Sequence, residues 1–177
     1  MPVWIDNDTL YTKALSIAMH AHHGQYRKYS KQPYIHHPIR VSETVRELFQ
    51  HRDEHQHMIA TALLHDVLED TWMEEHDLAD VPKEVKQYVK ALSEDKELSY
   101  SIRRKAYIDT LRESPEPVKL IKLSDMWDNI RDWPERGKSY QKYLRKCEKT
   151  LRALRVDDPK GKQLKQRIEQ EIQQNKK

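Results

Sequence analysis

The chain has 177 residues, enough for one domain, since domains hold about 100–200 residues. Its 3 glycines and 8 prolines are too few for the many tight turns of an all-β sandwich or barrel. The single cysteine, Cys147, excludes an intramolecular disulfide, and no segment approaches the roughly 18 consecutive apolar residues of a membrane-spanning helix. The N-terminus also lacks the apolar run of a signal peptide, so we expect a helical protein of the reducing cytoplasm without a membrane partner.

Charged residues make up 34% of the chain and leave a net charge of +3. Six Lys and Arg against two Glu concentrate the positive charge in residues 160–177. No nucleic-acid-reading motif accompanies this basic segment, and we expect no nucleic-acid partner. The 10 histidines are the unusual feature, because histidine both ligates metals and titrates near neutral pH.

Apolar residues at helical spacing predict the elements of the N-terminal half. A first helix follows the acidic capping residues Asp6 and Asp8 and ends near Gly24. After a loop, Pro38 opens a second helix. Residues 54–69 predict a third helix that is apolar around nearly its whole circumference, which is typical of a central, buried helix.

The same periodicity continues to the C-terminus. Further helices are predicted at 82–92, 100–113, 115–131, 139–155 and 160–173, the last with only a narrow apolar stripe. We therefore predict an all-α, single-domain helical bundle. Its domain spans 1–156, and a basic C-terminal helix or tail over 157–177 belongs to the same domain.

The third predicted helix carries the most informative polar segment, in which His65, Asp66, Glu69 and Asp70 follow an apolar run. Burying such charges is costly unless they are paired or bound to a metal. Residues four apart share a helix face, so we expect His65 above Glu69 and Asp66 above Asp70. That arrangement puts His65 and Asp66 beside an ion and leaves the other two acids one turn further, at the distance of a general base.

One helix cannot complete a metal site, so the remaining ligands must come from elsewhere in the fold. His37 precedes Pro38 at a loop-to-helix junction, and Asp125 ends another apolar run. Two histidines and two carboxylates with open positions suit Mn²⁺, Fe²⁺ or Mg²⁺ better than a closed structural Zn²⁺ site. The pattern favours a catalytic metal centre.

Four segments together resemble the HD-domain metal-dependent phosphohydrolases, and within them the RelA/SpoT-type (p)ppGpp hydrolase domain. They are AHHGQYRKYSKQPYIHHP at 21–38, ALLHDVLEDT at 62–71, SEDKELSYSIRRK at 93–105 and KLSDMWDNIRD at 122–132. The resemblance runs from residue 10 to about 155. Because the chain stops where longer relatives begin their synthetase, it looks like a stand-alone small alarmone hydrolase.

This resemblance implies a role for each matching residue. The metal ligands, usually of Mn²⁺, are His37, His65, Asp66 and Asp125. The acidic pair that activates and orients the attacking water is Glu69 and Asp70. The residues that contact the small-molecule nucleotide and its phosphates are Arg27, Lys28, Asn129 and Tyr143. Arginine and lysine suit phosphate oxygens. Further candidates for phosphate contact are therefore Arg103, Arg104 and Lys105.

The expected reaction removes the 3′-pyrophosphate from (p)ppGpp-like nucleotides, giving GDP or GTP and pyrophosphate. Trp127 and Asp128 replace a more usual aliphatic-aromatic or aliphatic-His pair of the family. The nucleobase that the protein prefers is therefore undecided, and (p)ppApp is an alternative substrate. HD-type 5′-nucleotidase or dNTP triphosphohydrolase activity and a non-catalytic nucleotide sensor are the rival functions. The oligomeric state also stays open, with a homo-oligomer among the alternatives.

Overall fold

A computed structural model describes residues 10–133 and 136–176 of the chain. Within these ranges lie a short 3-10 helix, Glu75–Leu78, and nine α-helices. The α-helices are α1 Leu10–Ala21, α2 His36–Leu48, α3 His55–Leu64, α4 Val67–Asp70, α5 Lys83–Leu92, α6 Tyr100–Glu113, α7 Glu116–Arg131, α8 Lys138–Ala153 and α9 Pro159–Asn175. The predicted all-α class is confirmed. None of the described helices has the length and apolar character needed to span a bilayer.

Most helix bounds agree with the prediction to within about two residues, the usual uncertainty of helix ends. After α1, Gly24 adopts a left-handed conformation with φ of 74°, which glycine reaches without a Cβ penalty. α2 begins two residues before Pro38, so His37 lies in the first turn of a helix rather than in the preceding junction. Asp6 and Asp8, the predicted capping residues, lie outside the described residues.

The prediction of one continuous helix over 54–69 is wrong. α3 ends at Leu64 and α4 begins at Val67, so His65 and Asp66 form a turn between them. At the end of α3, His65 Nδ1 donates to Ala62 O over 2.7 Å, and a side chain thereby satisfies a terminal carbonyl. The turn brings His65 Nε2 within 3.1 Å of Asp66 Oδ2. Asp66 and Asp70 still lie on one side, as expected, because the Tyr34 hydroxyl contacts both carboxylates.

α3 lies at the centre of the bundle, and its residues from Met58 to Leu64 are all buried. On one side it packs against α1 and α5, through a cluster that includes Ala14 and Val85. On the other side it packs against α2 and α7, through a cluster that includes Val41 and Leu123. Because α2, α3 and α7 contact one another, the predicted ligands meet inside the bundle.

The C-terminal helix α9 packs on α7 and α8. Its apolar stripe, Leu164, Ile168 and Ile172, is buried. Asp158 caps the helix, because its Oδ1 accepts from Gly161 N over 2.9 Å. Gly161 lies so close to α7 that a Cβ at this position would clash with the side chain of Leu120.

Candidate metal centre and substrate cavity

Side chains from α2, α7 and the turn after α3 converge on one buried point. His37 Nε2 lies 3.2 Å from Asp125 Oδ1 and 3.5 Å from Asp66 Oδ2. His65 Nε2 lies 3.1 Å from Asp66 Oδ2 and 3.6 Å from Asp125 Oδ1. One ligand atom each of His37, His65 and Asp125 lies within 4.8 Å of the others. The structure thus brings together the four residues that the sequence indicated as ligands.

Both histidines are oriented by a hydrogen bond at Nδ1. His37 Nδ1 donates to Asp128 Oδ2 over 2.7 Å, and His65 Nδ1 donates to the Ala62 carbonyl. In the neutral form of each ring, which a metal requires, the proton on Nδ1 leaves the lone pair on Nε2, and both Nε2 atoms are buried without a hydrogen-bond partner in the described part of the chain. Such orphaned nitrogens are costly unless a metal coordinates them, so this donor set fits a divalent cation.

The two aspartates present negative oxygen atoms to this point. Burial raises the pKa of Asp125, but Lys122 and the two histidines outweigh it and hold the pKa well below its usual range. Lys122 Nζ donates to Asp125 Oδ2 over 2.7 Å. Before a metal binds, burial lowers the pKa of His65, but Asp66 and Asp125 outweigh it and raise that pKa. Burial raises the pKa of the Asp66 carboxyl group, but the positive charge on the His65 ring in turn outweighs it and lowers that pKa. Both carboxylates are therefore ionised at neutral pH.

Tyr34 fixes the carboxylate of Asp66. Its hydroxyl donates to Asp66 Oδ2 over 2.7 Å and lies 3.4 Å from Asp70 Oδ2. Burial and these two carboxylates raise the pKa of Tyr34, so the hydroxyl keeps its proton and remains a donor. Tyr34 thus links a candidate ligand to one member of the acidic pair.

The loop between α5 and α6 holds the acidic pair on α4. Glu69 Oε2 accepts from Glu94 N over 2.9 Å, and Lys96 Nζ donates to Asp70 Oδ1 over 2.6 Å. Burial raises the pKa of Glu69, and the bond from the Glu94 backbone only partly offsets this. Glu69 is therefore a stronger proton acceptor than an exposed glutamate, while Asp70 is exposed and held beside a lysine.

A cavity of about 140 Å³ lies beside the candidate ligands. The acidic residues that line it are Asp66, Glu69, Asp70, Glu94 and Asp125, and the basic residues are Arg104, Lys122 and Lys146. Glu94 bonds to Arg104 and lies 3.1 Å from Lys146 Nζ, so it holds two of the three cations at the wall. Basic side chains facing an acidic pair suit an anionic substrate that is attacked by water.

The three basic residues at 103–105, the candidates for phosphate contacts, differ in where their side chains lie. Arg104 is buried and lines the cavity. Arg103 Nε lies 3.2 Å from Glu94 Oε2, and exposed Lys105 pairs with Asp109 on the surface of α6. Of the three, Arg104 is the one placed to meet a substrate.

A second cavity, of about 210 Å³, shares Tyr34 and Asn129 with the first. Its other lining residues are Arg27, Lys28, Tyr29, Asp132 and Trp133. Arg27 donates from Nε to Asp132 Oδ2 over 2.9 Å and from Nη2 to Asn129 Oδ1. Tyr143 lines the first cavity and stacks on Trp133. All four predicted nucleotide-contacting residues therefore border one of two adjoining cavities.

Sequence reasoning did not find the roles of Asp128, Arg40, Tyr34 and Glu94. Asp128 lies one helical turn after Asp125, and this spacing was the available signal, since residues three apart share a helix face. The other roles rest on partners far away in the chain. Arg40, for example, donates to Asp128 from Nε over 2.7 Å and from Nη2 over 2.9 Å, across 88 residues.

The fold and the site define an all-α protein with a candidate divalent-metal centre beside a cavity lined by acidic and basic side chains. The sequence profile of the HD domain family matches residues 14–152. The chain belongs to this family.

Named relatives narrow the resemblance. The chain is 37% identical over 122 residues to a guanosine-3′,5′-bis(diphosphate) 3′-pyrophosphohydrolase of Haemophilus influenzae, covering 65% of this chain and 17% of that protein. It is 35% identical over 127 residues to the pyrophosphohydrolase MESH1 of Drosophila melanogaster, covering 69% and 68%. The solved structure of a metazoan SpoT ortholog that hydrolyses ppGpp matches with a TM-score of 0.79 and 28% identity, covering 93% and 94%. The predicted resemblance to the RelA/SpoT-type hydrolases is confirmed, although the chain spans about a sixth of the Haemophilus protein.

Proposed function

We propose that this chain is a metal-dependent hydrolase that removes the 3′-pyrophosphate from (p)ppGpp-like nucleotides, giving GDP or GTP and pyrophosphate. The observation that carries the proposal is the pair of buried, unpartnered Nε2 atoms that face two ionised carboxylates beside a partly basic cavity. The relatives in Haemophilus and Drosophila are named as 3′-pyrophosphohydrolases of guanosine bis(diphosphate), which supports the substrate class.

We assign the ion to His37, His65, Asp66 and Asp125. When bound there, a divalent cation lowers the pKa of water and offsets charge on the phosphoryl oxygens. Mixed nitrogen and oxygen donors favour Mn²⁺ or Fe²⁺ over Mg²⁺, which prefers oxygen ligands, and we propose Mn²⁺. Asp128 and the Ala62 carbonyl accept the Nδ1 protons, so Nε2 is the ligating nitrogen of each neutral ring.

In this mechanism Glu69 accepts a proton from the attacking water. Its pKa is raised by burial, which strengthens the base. The water oxygen bonds to phosphorus as the bond to the ribose 3′-oxygen breaks, and Glu69 returns a proton to that leaving oxygen. Asp70 accepts a hydrogen bond from the water and is kept in place by Lys96.

The remaining residues bind the anionic substrate. Arg104 and Lys146 offer charge to the pyrophosphate in the first cavity, and Arg27 and Lys28 offer it to the other phosphates in the second. The ring faces of Tyr29 and Trp133 suit a nucleobase, because aromatic rings stack on one another. We assign Asn129 and Tyr143 to the nucleoside, since they border the two cavities.

Two further assignments concern the extent of the domain and the location of the protein. We propose that residues 157–177 belong to the same domain as 1–156, because α9 buries its apolar stripe against α7 and α8. We propose a cytoplasmic location because the buried thiol of Cys147 is free, as in proteins of reducing compartments.

The test is incubation of the purified protein and Mn²⁺ with ppGpp, pppApp, dGTP or GMP, followed by chromatographic analysis of the products. Release of GDP and pyrophosphate from ppGpp supports the proposal, and pyrophosphate from pppApp extends it to adenosine alarmones. Triphosphate from dGTP or phosphate from GMP, with ppGpp intact, contradicts it. Tight ppGpp binding without products also contradicts it and indicates a sensor.

A further inference from the structure

Arg40 lies on α2, one turn after His37, and it does not line either cavity described above. Its guanidinium contacts two carboxylates, one on α7 and one on the residue that follows this helix. Nε and Nη2 donate to the two oxygens of Asp128 over 2.7 and 2.9 Å, and Nη2 lies 3.3 Å from Asp132 Oδ1. One arginine thus joins two acids that are four residues apart at the C-terminal end of α7.

The first of these acids acts on the metal centre. Asp128 accepts from His37 Nδ1 over 2.7 Å and is buried. Its hydrogen bond fixes both the tautomer and the orientation of the ring, and so aims Nε2 at the other candidate ligands. Without Arg40, the Asp128 carboxylate would keep His37 as its remaining partner, and the bidentate bonds that hold its plane would be lost.

The second acid acts on the substrate cavity. Asp132 Oδ2 accepts from Arg27 Nε over 2.9 Å, and Arg27 Nη2 donates to Asn129 Oδ1. Asn129 Nδ2 in turn donates to Asp125 Oδ1, a candidate ligand. These contacts therefore form a ring through His37, Asp128, Arg40, Asp132, Arg27, Asn129 and Asp125, closed where His37 Nε2 faces Asp125 Oδ1 over 3.2 Å at the candidate metal position.

We propose that Arg40 is a positioning residue that sets the affinity for the metal ion and the affinity for the nucleotide together. It acts through Asp128 on the ring of His37 and through Asp132 on the guanidinium of Arg27. The metal effect stands on the geometry of the candidate centre, and the nucleotide effect rests on the proposed function. A lysine carries the charge but lacks the planar fork, so it can hold one of the two acids in place of both.

The sign of the metal effect distinguishes positioning from simple electrostatics. Removal of a positive charge near a cation site strengthens metal binding if Coulomb interactions alone decide it. Loss of an orienting hydrogen-bond partner instead weakens metal affinity, typically about 10–100-fold. Arg40 acts on His37 through Asp128, so for Arg40→Ala we expect the Kd for Mn²⁺ to rise by about 10-fold, the lower end of this range.

The experiment measures the Kd for Mn²⁺ by calorimetry on metal-free protein, and KM and kcat for ppGpp at saturating Mn²⁺. Arg40→Ala raises both the Kd and KM, with kcat within about 3-fold of the wild type, since Arg40 touches neither cavity. Asp128→Asn raises the Kd alone, and Asp132→Asn raises KM alone by roughly 10-fold. Arg46→Ala, an exposed arginine on the same helix outside the ring, changes neither.

An unchanged or tighter Kd for Mn²⁺ in Arg40→Ala overturns the metal half of the proposal, and an unchanged KM overturns the nucleotide half. Circular dichroism and thermal unfolding in EDTA report whether each variant is folded. If Arg40→Ala does not fold, Arg40→Lys carries the same test with smaller shifts in the same two constants, and their absence overturns the proposal. A wild-type protein that binds Mn²⁺ but leaves ppGpp intact refutes the proposed function, whereas the Kd comparison still decides the role of Arg40.

Discussion

Glu69→Gln separates proton transfer from metal binding. The glutamine is isosteric, and its carbonyl oxygen can still accept the bond from Glu94 N, so the local structure is kept. The substituted amide cannot accept the proton of water, and loss of a general base costs about 10²–10⁴ in kcat, or about 3–5 kcal/mol of transition-state free energy. Because Glu69 lies outside the four candidate ligands, we expect the Kd for Mn²⁺ to stay within about 3-fold.

The measurement is steady-state hydrolysis of ppGpp at saturating Mn²⁺, with calorimetry of Mn²⁺ binding to each variant. Glu97→Gln removes the same charge from an exposed position in the loop that holds the acidic pair and serves as the matched control. A Glu69→Gln enzyme with wild-type kcat removes Glu69 from the mechanism. A large loss of metal affinity instead makes Glu69 part of the metal centre.

The pH profile tests the same residue. Burial raises the pKa of Glu69 above its usual value of about 4.3, and the base must be ionised to accept a proton. As pH falls through this raised pKa, kcat/KM declines about tenfold per pH unit. The decline on the acid side of the pH profile therefore begins at a pH above the usual pKa of glutamate. A decline that begins at or below about pH 4.3 refutes the assignment.

Three further predictions concern stability. Gly161→Ala destabilises the fold by about 1–2 kcal/mol in urea unfolding, because the clash with buried Leu120 outweighs the gain of about 1 kcal/mol in helix propensity. In a Leu120→Ala background the same change stabilises the fold. A stabilising effect of Gly161→Ala in the wild type refutes the clash. Asp158→Ala costs about 1 kcal/mol at pH 7 through loss of the cap on α9. Burial raises the pKa of Asp158, but the Gly161 amide and His51 outweigh it and lower the pKa. The stabilisation by Asp158 is therefore present above the unfolded pKa of about 3.9 and is lost as pH falls through the lower folded pKa. A difference in stability from the wild type that persists unchanged at about pH 2 contradicts this. Mn²⁺ at 100 times its Kd adds about 2.7 kcal/mol and raises Tm by roughly 5–10 °C in scanning calorimetry, and an unchanged Tm contradicts metal binding by the folded state.

Periodicity was enough to predict the helices and the all-α class, because each helix buries one face and repeats its apolar residues accordingly. It could not predict the break at His65 and Asp66. The apolar pattern continues from α3 into Val67 and Leu68, so the sequence favours an uninterrupted helix. At the break the His65 ring bonds to the Ala62 carbonyl, a contact that periodicity does not encode.

The candidate ligands were predictable for a different reason. Histidine and aspartate inside apolar runs are unusual, and their order along the chain resembles a known family. The residues that hold the site together were not predictable, because Arg40 meets Asp128 across 88 residues and Glu94 meets Glu69, of the acidic pair, across 25. Such contacts depend on how α2, α4 and α7 are placed by the core rather than on local pattern.

Anomalous diffraction at the manganese edge, from crystals grown with Mn²⁺, tests the central claim most directly. The account predicts one strong peak about 2.0–2.4 Å from His37 Nε2, His65 Nε2 and a carboxylate oxygen of both Asp66 and Asp125. Asp125→Ala crystals prepared in the same way are expected to lose the peak. Wild-type crystals without density between these four side chains, or with manganese held by other residues, would contradict the account.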